Sequence, residues 1–333
     1  MVYIYRKIIG DKNYYYLRIS EKKGNRVMAK DLAYLGNSLK EVREKINNLH
    51  KYKEQIRKSH KKINQFLQSN HYLEKIKELK LKKDPFLENK LQEVESCKLH
   101  FNKIFKKEND LTKQEILKQF VMEFAFNTTS IEGNTITLKE TKNLLDEGIT
   151  PKNKTLREIY DLQNTEKVFF SILKKQLEIS HKTIMGVHNN LLDKIDNRVG
   201  GYRTRDVRVI NANFKTTPHQ YIKEDMGILL QWYEQHKTRL HPLVLATIFH
   251  HKLEKIHPFF DGNGRTGRML LNLILLKNNY PPLIIRKKFR KEYLENLRKA
   301  DKSGLKDSRE EHYNNLVQFN ADEMTSAYWN SFL

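Results

Sequence analysis

The sequence predicts a mainly α protein with a small N-terminal β-meander, a long helical arm and a helical body. Three observations predict this. Apolar residues recur at helical spacing from residue 111 nearly to the C-terminus, whereas residues 1–36 show short β-prone runs broken by turn residues. Between them lies a lysine-rich stretch with a thin apolar seam. The division expected is therefore 1–36, 37–110 and 111–333.

The chain has 333 residues, 38% of them hydrophobic, enough for one substantial core plus an appendage. No apolar run approaches a membrane span, and the start MVYIYRKIIG lacks the apolar core of a signal peptide, so the expectation is a cytoplasmic protein with no membrane partner. Cys97 is the single cysteine, which excludes an intramolecular disulfide. Net charge is +22, and residues 1–110 hold 27 Lys+Arg against 14 Asp+Glu. That excess can attract nucleic acid, anionic membrane or acidic proteins, or it can be solvated surface, and both readings stand.

Residues 2–9, 13–20 and 26–34 are the expected strands, with turns at Gly10-Asp11-Lys12 and Lys23-Gly24-Asn25. Three strands alone are marginal and must pack on the helical arm beyond them. Their tyrosines make a mini-core more readily than a base-stacking surface. From residue 38 to about 82 the spacing of Val42, Ile46, Leu49, Ile56, Ile63 and Leu67 predicts a long, highly charged helical stretch. Asp84-Pro85 then starts a second segment through Phe86, Leu91, Val94 and Leu99, which makes a helical hairpin or a dimerising arm.

Leu111 opens a globular helix that runs into Asn127-Thr128-Thr129-Ser130-Ile131-Glu132-Gly133. Glu132 sits at the negative end of that helix, where an acid needs a cation. Further helices are expected at 137–148, 153–176 and 180–193, with Ser180 as a cap. Gly200-Gly201-Tyr202-Arg203-Thr204 and Val207-Arg208-Val209-Ile210-Asn211 alternate as a hairpin does. Pro218 opens a helix through Trp232, and another covers 241–256, where His250 and His251 read as packing residues. Beyond the buried helix at 269–276, one more begins near Lys288, and the tail 307–333 is helical.

The densest chemistry is HPFFDGNGRTGR at 257–268. A nearly all-apolar helix comes directly after it, so the N–H groups of that helix's first turn lack intrahelical partners and point into the glycine loop. Arg265 and Arg268 lie on one side of this turn, and their forked guanidinium groups suit phosphate oxygens. Asp261 is a hard oxygen ligand for a magnesium ion shared with phosphates. His257 can serve as a general base near neutral pH. The loop is neither a Walker-type phosphate loop, having no Gly-Lys-Ser/Thr, nor a dinucleotide fingerprint, since a helix precedes it.

These residues fill every position of HxFx(D/E)GNGRxxR, and over residues 111–310 the chain resembles the Fic (Fido) domains. The resemblance implies a Fic/Fido helical core with a β-hairpin flap, and an activity that moves AMP from ATP to a Ser, Thr or Tyr hydroxyl of a protein. It implies His257 as the catalytic base and Asp261 as the holder of Mg2+ (or Mn2+). Gly262, Asn263, Gly264, Arg265, Thr266, Gly267 and Arg268 would contact ATP, and Tyr293 the adenine. Val209, Ile210 and Asn211 would form the flap edge that takes the target by strand addition. Thr128-x-x-x-Glu132-Gly133 resembles the inhibitory (S/T)xxxE(G/N) helix, here within 111–133, whose glutamate would pair with Arg268 in place of the γ-phosphate. In some relatives this glutamate also assists removal of AMP. The target is not written in the sequence; auto-AMPylation is an expectation from the same reading, and a homodimer is an expectation from the helical arm. Two rival readings stand beside it: a Fic transferase that uses another nucleotide, and a nucleic-acid-binding regulator with a quiescent core, bound through residues 1–110.

Overall fold

The computed structural model describes residues 1–24, 26–174, 177–208 and 214–333. Three antiparallel strands, β1 (Val2–Ile9), β2 (Lys12–Lys23) and β3 (Arg26–Gly36), pair in the order β1-β2-β3. The two-residue alternation turns Val2, Ile4, Tyr15 and Leu17 to one face, where they meet Val42, Ile46, Ile63 and Leu67. The tyrosines therefore divide: Tyr15 is core, while Tyr5 lies under the Arg18 guanidinium, 3.5 Å from ring centre to Cζ.

The helical stretch expected over 38–82 is divided into three helices: α1 (Leu39–Asn48), α2 (Lys53–Lys58) and α3 (His60–Lys77). The chain leaves helical geometry at Leu49 and bends again at Ser59, although neither site carries Gly or Pro. A straight helix of that length would run roughly 70 Å, far past a three-stranded sheet. Breaking it lets Val42 and Ile46 of α1 and Ile63 and Leu67 of α3 cover the same sheet face. Packing overrides local propensity here.

α4 (Leu91–Lys103) packs on α3, but its Leu91, Val94, Cys97 and Phe101 belong to the large core formed by the rest of the chain. The hydrophobic cores thus part between Leu67 and Phe86, not at residue 110. The body comprises α5 (Asp110–Ile131), α6 (Leu138–Glu147), α7 (Leu156–Lys174), α8 (His181–Leu191) and α9 (Ile222–His236), then α10 (Pro242–Ile256), α11 (Asn263–Lys277), α12 (Arg290–Ala300) and α13 (Glu310–Ser331). Side-chain caps from Asn109 and Ser180 and a capping box at Thr137 and Glu140 fix three of the starts.

α11 is the centre. It packs against α5, α7, α8 and α10, and from Arg265 to Leu275 every residue is buried. Its one interior amide, Asn272, is fully paired: Oδ1 accepts from the Leu283 N–H at 2.8 Å, and Nδ2 donates to the carbonyls of Leu283 and Arg268 at 3.2 and 3.1 Å. The segments 200–208 and 214–217 form no strand, and they are joined by the Thr216 hydroxyl donating to the Val207 carbonyl at 2.7 Å. The tip of the expected hairpin, with Val209, Ile210 and Asn211, lies outside the described residues. Among the described residues no helix is long and apolar enough to cross a membrane.

Asn272→Leu strands the Leu283 N–H and carbonyl in the core. It is expected to lower unfolding stability by about 2–4 kcal/mol, read as a fall in the urea midpoint at unchanged slope.

Candidate active site

α10 ends on His257, whose backbone turns left-handed at φ 53°, a conformation a non-glycine residue holds only when its surroundings impose it. The turn swings the imidazole out of the helix row and into the loop. Its Nδ1 lies 3.3 Å from the Glu254 carbonyl and can only donate to it, which leaves Nε2 as the free lone pair. Burial lowers the His257 pKa to about 4, so the ring is neutral at physiological pH.

The loop is closed by an amide. Asn263 Oδ1 accepts from the Phe259 N–H and its Nδ2 donates to the Phe259 carbonyl, both at 2.9 Å. The Phe259 ring stacks on His188 with centroids 3.6 Å apart, and His188 Nε2 donates to the Asp261 carbonyl at 3.0 Å. Gly262 caps α11 at φ 76°, with Leu192 where a Cβ would stand. No side chain caps this helix, so its first N–H groups face the loop unclaimed by the helix.

The two arginines have separate anchors. Arg265 is buried and pairs with Asp161 of α7, and its Nη2 is 3.3 Å from Asp261 Oδ1. Arg268 is 3% exposed: Nε donates to the Thr128 hydroxyl at 2.8 Å, and Nη2 to the Thr128 carbonyl at 3.0 Å and Glu132 Oε1 at 2.7 Å. Burial alone would disfavour its charge, but Glu132 outweighs that and raises the guanidinium pKa. The Glu132 carboxylate lies directly over Gly264, where any Cβ would collide with it and with Arg268 Nη1. Glu132 thus sits over the first turn of α11, at the mouth of the cradle.

Asp261 holds its carboxylate at the other side of the loop. Burial pushes its pKa up, but Arg265, the Gly262 N–H and Arg157 prevail and hold it below the ordinary carboxylate value. Among the described residues no three His, Cys, Asp or Glu side chains gather as a metal cage. One half-exposed hard oxygen pair fits Mg2+ or Mn2+ of the kind that keeps its waters and takes its other ligands from phosphates.

Several expected contacts are corrected. Tyr293 is 1% exposed, and its hydroxyl pairs with His250 Nε2 at 2.5 Å, so no face of the ring is open to a base. Thr266 is fully buried with its N–H spent on the Gly262 carbonyl. Gly267 faces His250, where a Cβ would not fit, and serves the packing of α11 on α10. Asn263 shapes the loop with its side chain and can offer a ligand only its backbone N–H. His257, Asp261, Gly262, Gly264, Arg265, Arg268 and Glu132 do converge around the loop.

Sequence reading missed four residues of the surroundings: Arg157, Asp161, His188 and Arg203. Arg203 Nε donates to the His257 carbonyl at 2.9 Å and Nη1 to the Arg205 carbonyl at 2.8 Å, and Nη2 reaches the Thr217 carbonyl. It ties segments 200–208 and 214–217 to the loop that begins at His257. The spacing of Arg157 and Asp161, four apart on one helix, was visible, but nothing local says that their partners lie 104 residues away.

The centre of the helical core is thus a helix tip without a side-chain cap, flanked by a neutral imidazole and a carboxylate and bearing two anchored arginines, a setting suited to an anion. Residues 178–275 match the model of the Fic/DOC family, and the chain carries a Fic domain. It is similar to the protein adenylyltransferase Fic of Drosophila persimilis, 30% identical over 227 residues, 66% of this chain and 43% of the fly protein. The Drosophila melanogaster protein of the same name is 31% identical over 57% of this chain and 39% of its own length. The chain thus spans about two fifths of the curated relatives it matches. Among solved structures, Fic-1 (residues 134–508) from C. elegans superposes with TM-score 0.62 at 26% identity, over 72% of this chain and 70% of that one. A Fic domain containing signaling protein from Bacteroides thetaiotaomicron shares the fold, with TM-score 0.65 at 24% identity over 71% and 94% of the two chains.

The His257 ring is expected to stay neutral down to about pH 5. In imidazole NMR spectra assigned by His257→Ala, its resonances should not move between pH 8 and pH 5.5; a midpoint near 6.5 would contradict the burial described.

Proposed function

We propose that the chain is a protein adenylyltransferase that moves AMP from ATP to a Ser, Thr or Tyr hydroxyl of a protein target, itself included, and that Glu132 holds it in a weakly active state. The observation that carries this reading is the neutral His257, with its free Nε2, beside the bare N-terminus of α11. The names of the similar fly proteins support it, as do the residues that match the family's motif.

In this reading His257 Nε2 takes the proton of the target hydroxyl. The hydroxyl oxygen forms a bond to the α-phosphorus in line with the bond that breaks, and pyrophosphate leaves with the electron pair. Asp261 would hold Mg2+ or Mn2+, which would neutralise charge on the departing pyrophosphate. The backbone N–H groups of Asn263, Gly264 and Arg265 and the Arg265 guanidinium would orient the α- and β-phosphates. Arg268 would take the γ-phosphate. It can do so only after Glu132 leaves, because both anions need the same Nη2 donor and the same space over Gly264. Positioning and charge neutralisation supply most of the rate in such a reaction. Arg203 would carry the 200–217 segment, whose tip would align the target.

Two substitutions test this with α-32P-labelled ATP and the full chain. Glu132→Gly removes an anion hydrogen-bonded to a buried guanidinium and is expected to raise auto-labelling about ten-fold or more. His257→Ala in that background is expected to cut labelling by about 10²–10⁴-fold. Labelling that persists without His257 would rule out the mechanism, and γ-32P label on the protein instead of α would reassign the group transferred.

A further inference from the structure

Asp261 has three partners in the resting chain. Oδ1 accepts from the Gly262 N–H at 2.6 Å and lies 3.3 Å from Arg265 Nη2, while Oδ2 is held by Nη2 of Arg157. One lone pair of Oδ2 stays open, but a cation that binds there meets the positive charge of Arg157 on the same oxygen and competes with it. The Gly262 N–H is fixed by the backbone of the loop. Arg265 is buried and gripped a second time by Asp161. Arg157 is different: its side chain is 56% exposed, it stands in the first turn of α7, and Asp261 is its one ion-pair partner among the described residues. Arg198, the other cation nearby, is forked onto Asp196 and stacked 4.8 Å over Phe260, so it does not share the carboxylate. α7 therefore presents Arg157 and Asp161 to the two halves of the Asp261–Arg265 pair and closes a ring of alternating charge.

We propose that Arg157 is a tethered stand-in for the divalent cation: it occupies the metal-facing oxygen of Asp261 until a nucleotide-borne Mg2+ or Mn2+ takes its place, and so sets the metal concentration at which the site fills. The inference rests on the reading of Asp261 as the metal carboxylate. It assigns Arg157 a positioning role, since it acts through Asp261 and not on the reacting atoms. A half-buried carboxylate without a counter-charge is costly, and an exposed guanidinium on a flexible stem meets that need while remaining easy to displace. Arg265 cannot play this part, because leaving Asp261 would require it to rearrange inside the core.

The test is Mn2+ binding monitored by electron paramagnetic resonance, with a non-hydrolysable ATP analogue present. All proteins are full chains carrying Glu132→Gly, so that the Glu132 contact does not mask the site. Arg157→Ala is expected to tighten Mn2+ binding roughly two- to five-fold, the range of a partly exposed ion pair. Arg157→Lys, which keeps the charge, is expected to stay near the parent value. Thermal melts of each variant confirm the fold. Unchanged or weaker Mn2+ binding in Arg157→Ala, with binding lost in Asp261→Ala, overturns the role of Arg157 and leaves the site reading intact. Mn2+ affinity that is indifferent to Asp261→Ala overturns both.

Discussion

A guanidinium in the middle of a helical core has to be answered by negative charge, and the molecule is arranged around how Arg268 obtains it. α11 is packed against α5, α7, α8 and α10, so Arg268 cannot reach bulk water. The answer comes from the last turn of α5, where Thr128 supplies a hydroxyl and a carbonyl and Glu132 the charge. That contact explains why an acid sits at the unfavourable end of a helix. It also explains the glycine at 264, since the carboxylate occupies the place of its Cβ. Any phosphate that enters the cradle competes for the same donor.

The rest of the site separates what must be rigid from what must move. Asn263, His188 and Arg203 hold the loop through backbone groups of Phe259, Asp261 and His257, so the imidazole and the helix tip keep their relation without a ligand. Preorganisation of this kind matters more than any single contact when charge develops during a reaction. The two groups on the open side, Glu132 and Arg157, are half exposed, and each covers one end of the cradle with a charge that a metal–nucleotide complex could replace. The buried elements thus give shape, and in the proposed reading the exposed ones give control. The buried Glu254, whose pKa is pushed up to about 8 by burial, stands behind the loop and adds no negative charge there at neutral pH.

Much of this was legible in the residues. The 257–268 run could be read because its chemistry is local: a helix, a glycine turn and a second helix place His257, Asp261 and Arg265 by short-range geometry alone. Glu132 was legible for a similar reason, as an acid at the wrong end of a helix needs a cation, and the family's motif named which one. The contacts of Arg157 and Asp161 were not, because a pair four apart on an ordinary helix says nothing about partners brought near by folding. Tyr293 was misplaced for the converse reason: a position in a motif does not tell whether a ring faces ligand or His250. The breaks at Leu49 and Ser59 escaped because no Gly or Pro marks them; the sheet they must cover dictates them.

The central claim is that Glu132 and the terminal phosphate of a nucleotide compete for Arg268. A crystal structure of the Glu132→Gly chain with ATP and magnesium tests it most directly. The account predicts the γ-phosphate within hydrogen-bond distance of the Arg268 guanidinium, the α-phosphate over the first turn of α11, and His257 Nε2 open on the side where a hydroxyl would approach. A nucleotide bound elsewhere, with Arg268 turned to another side chain of the protein, would contradict it.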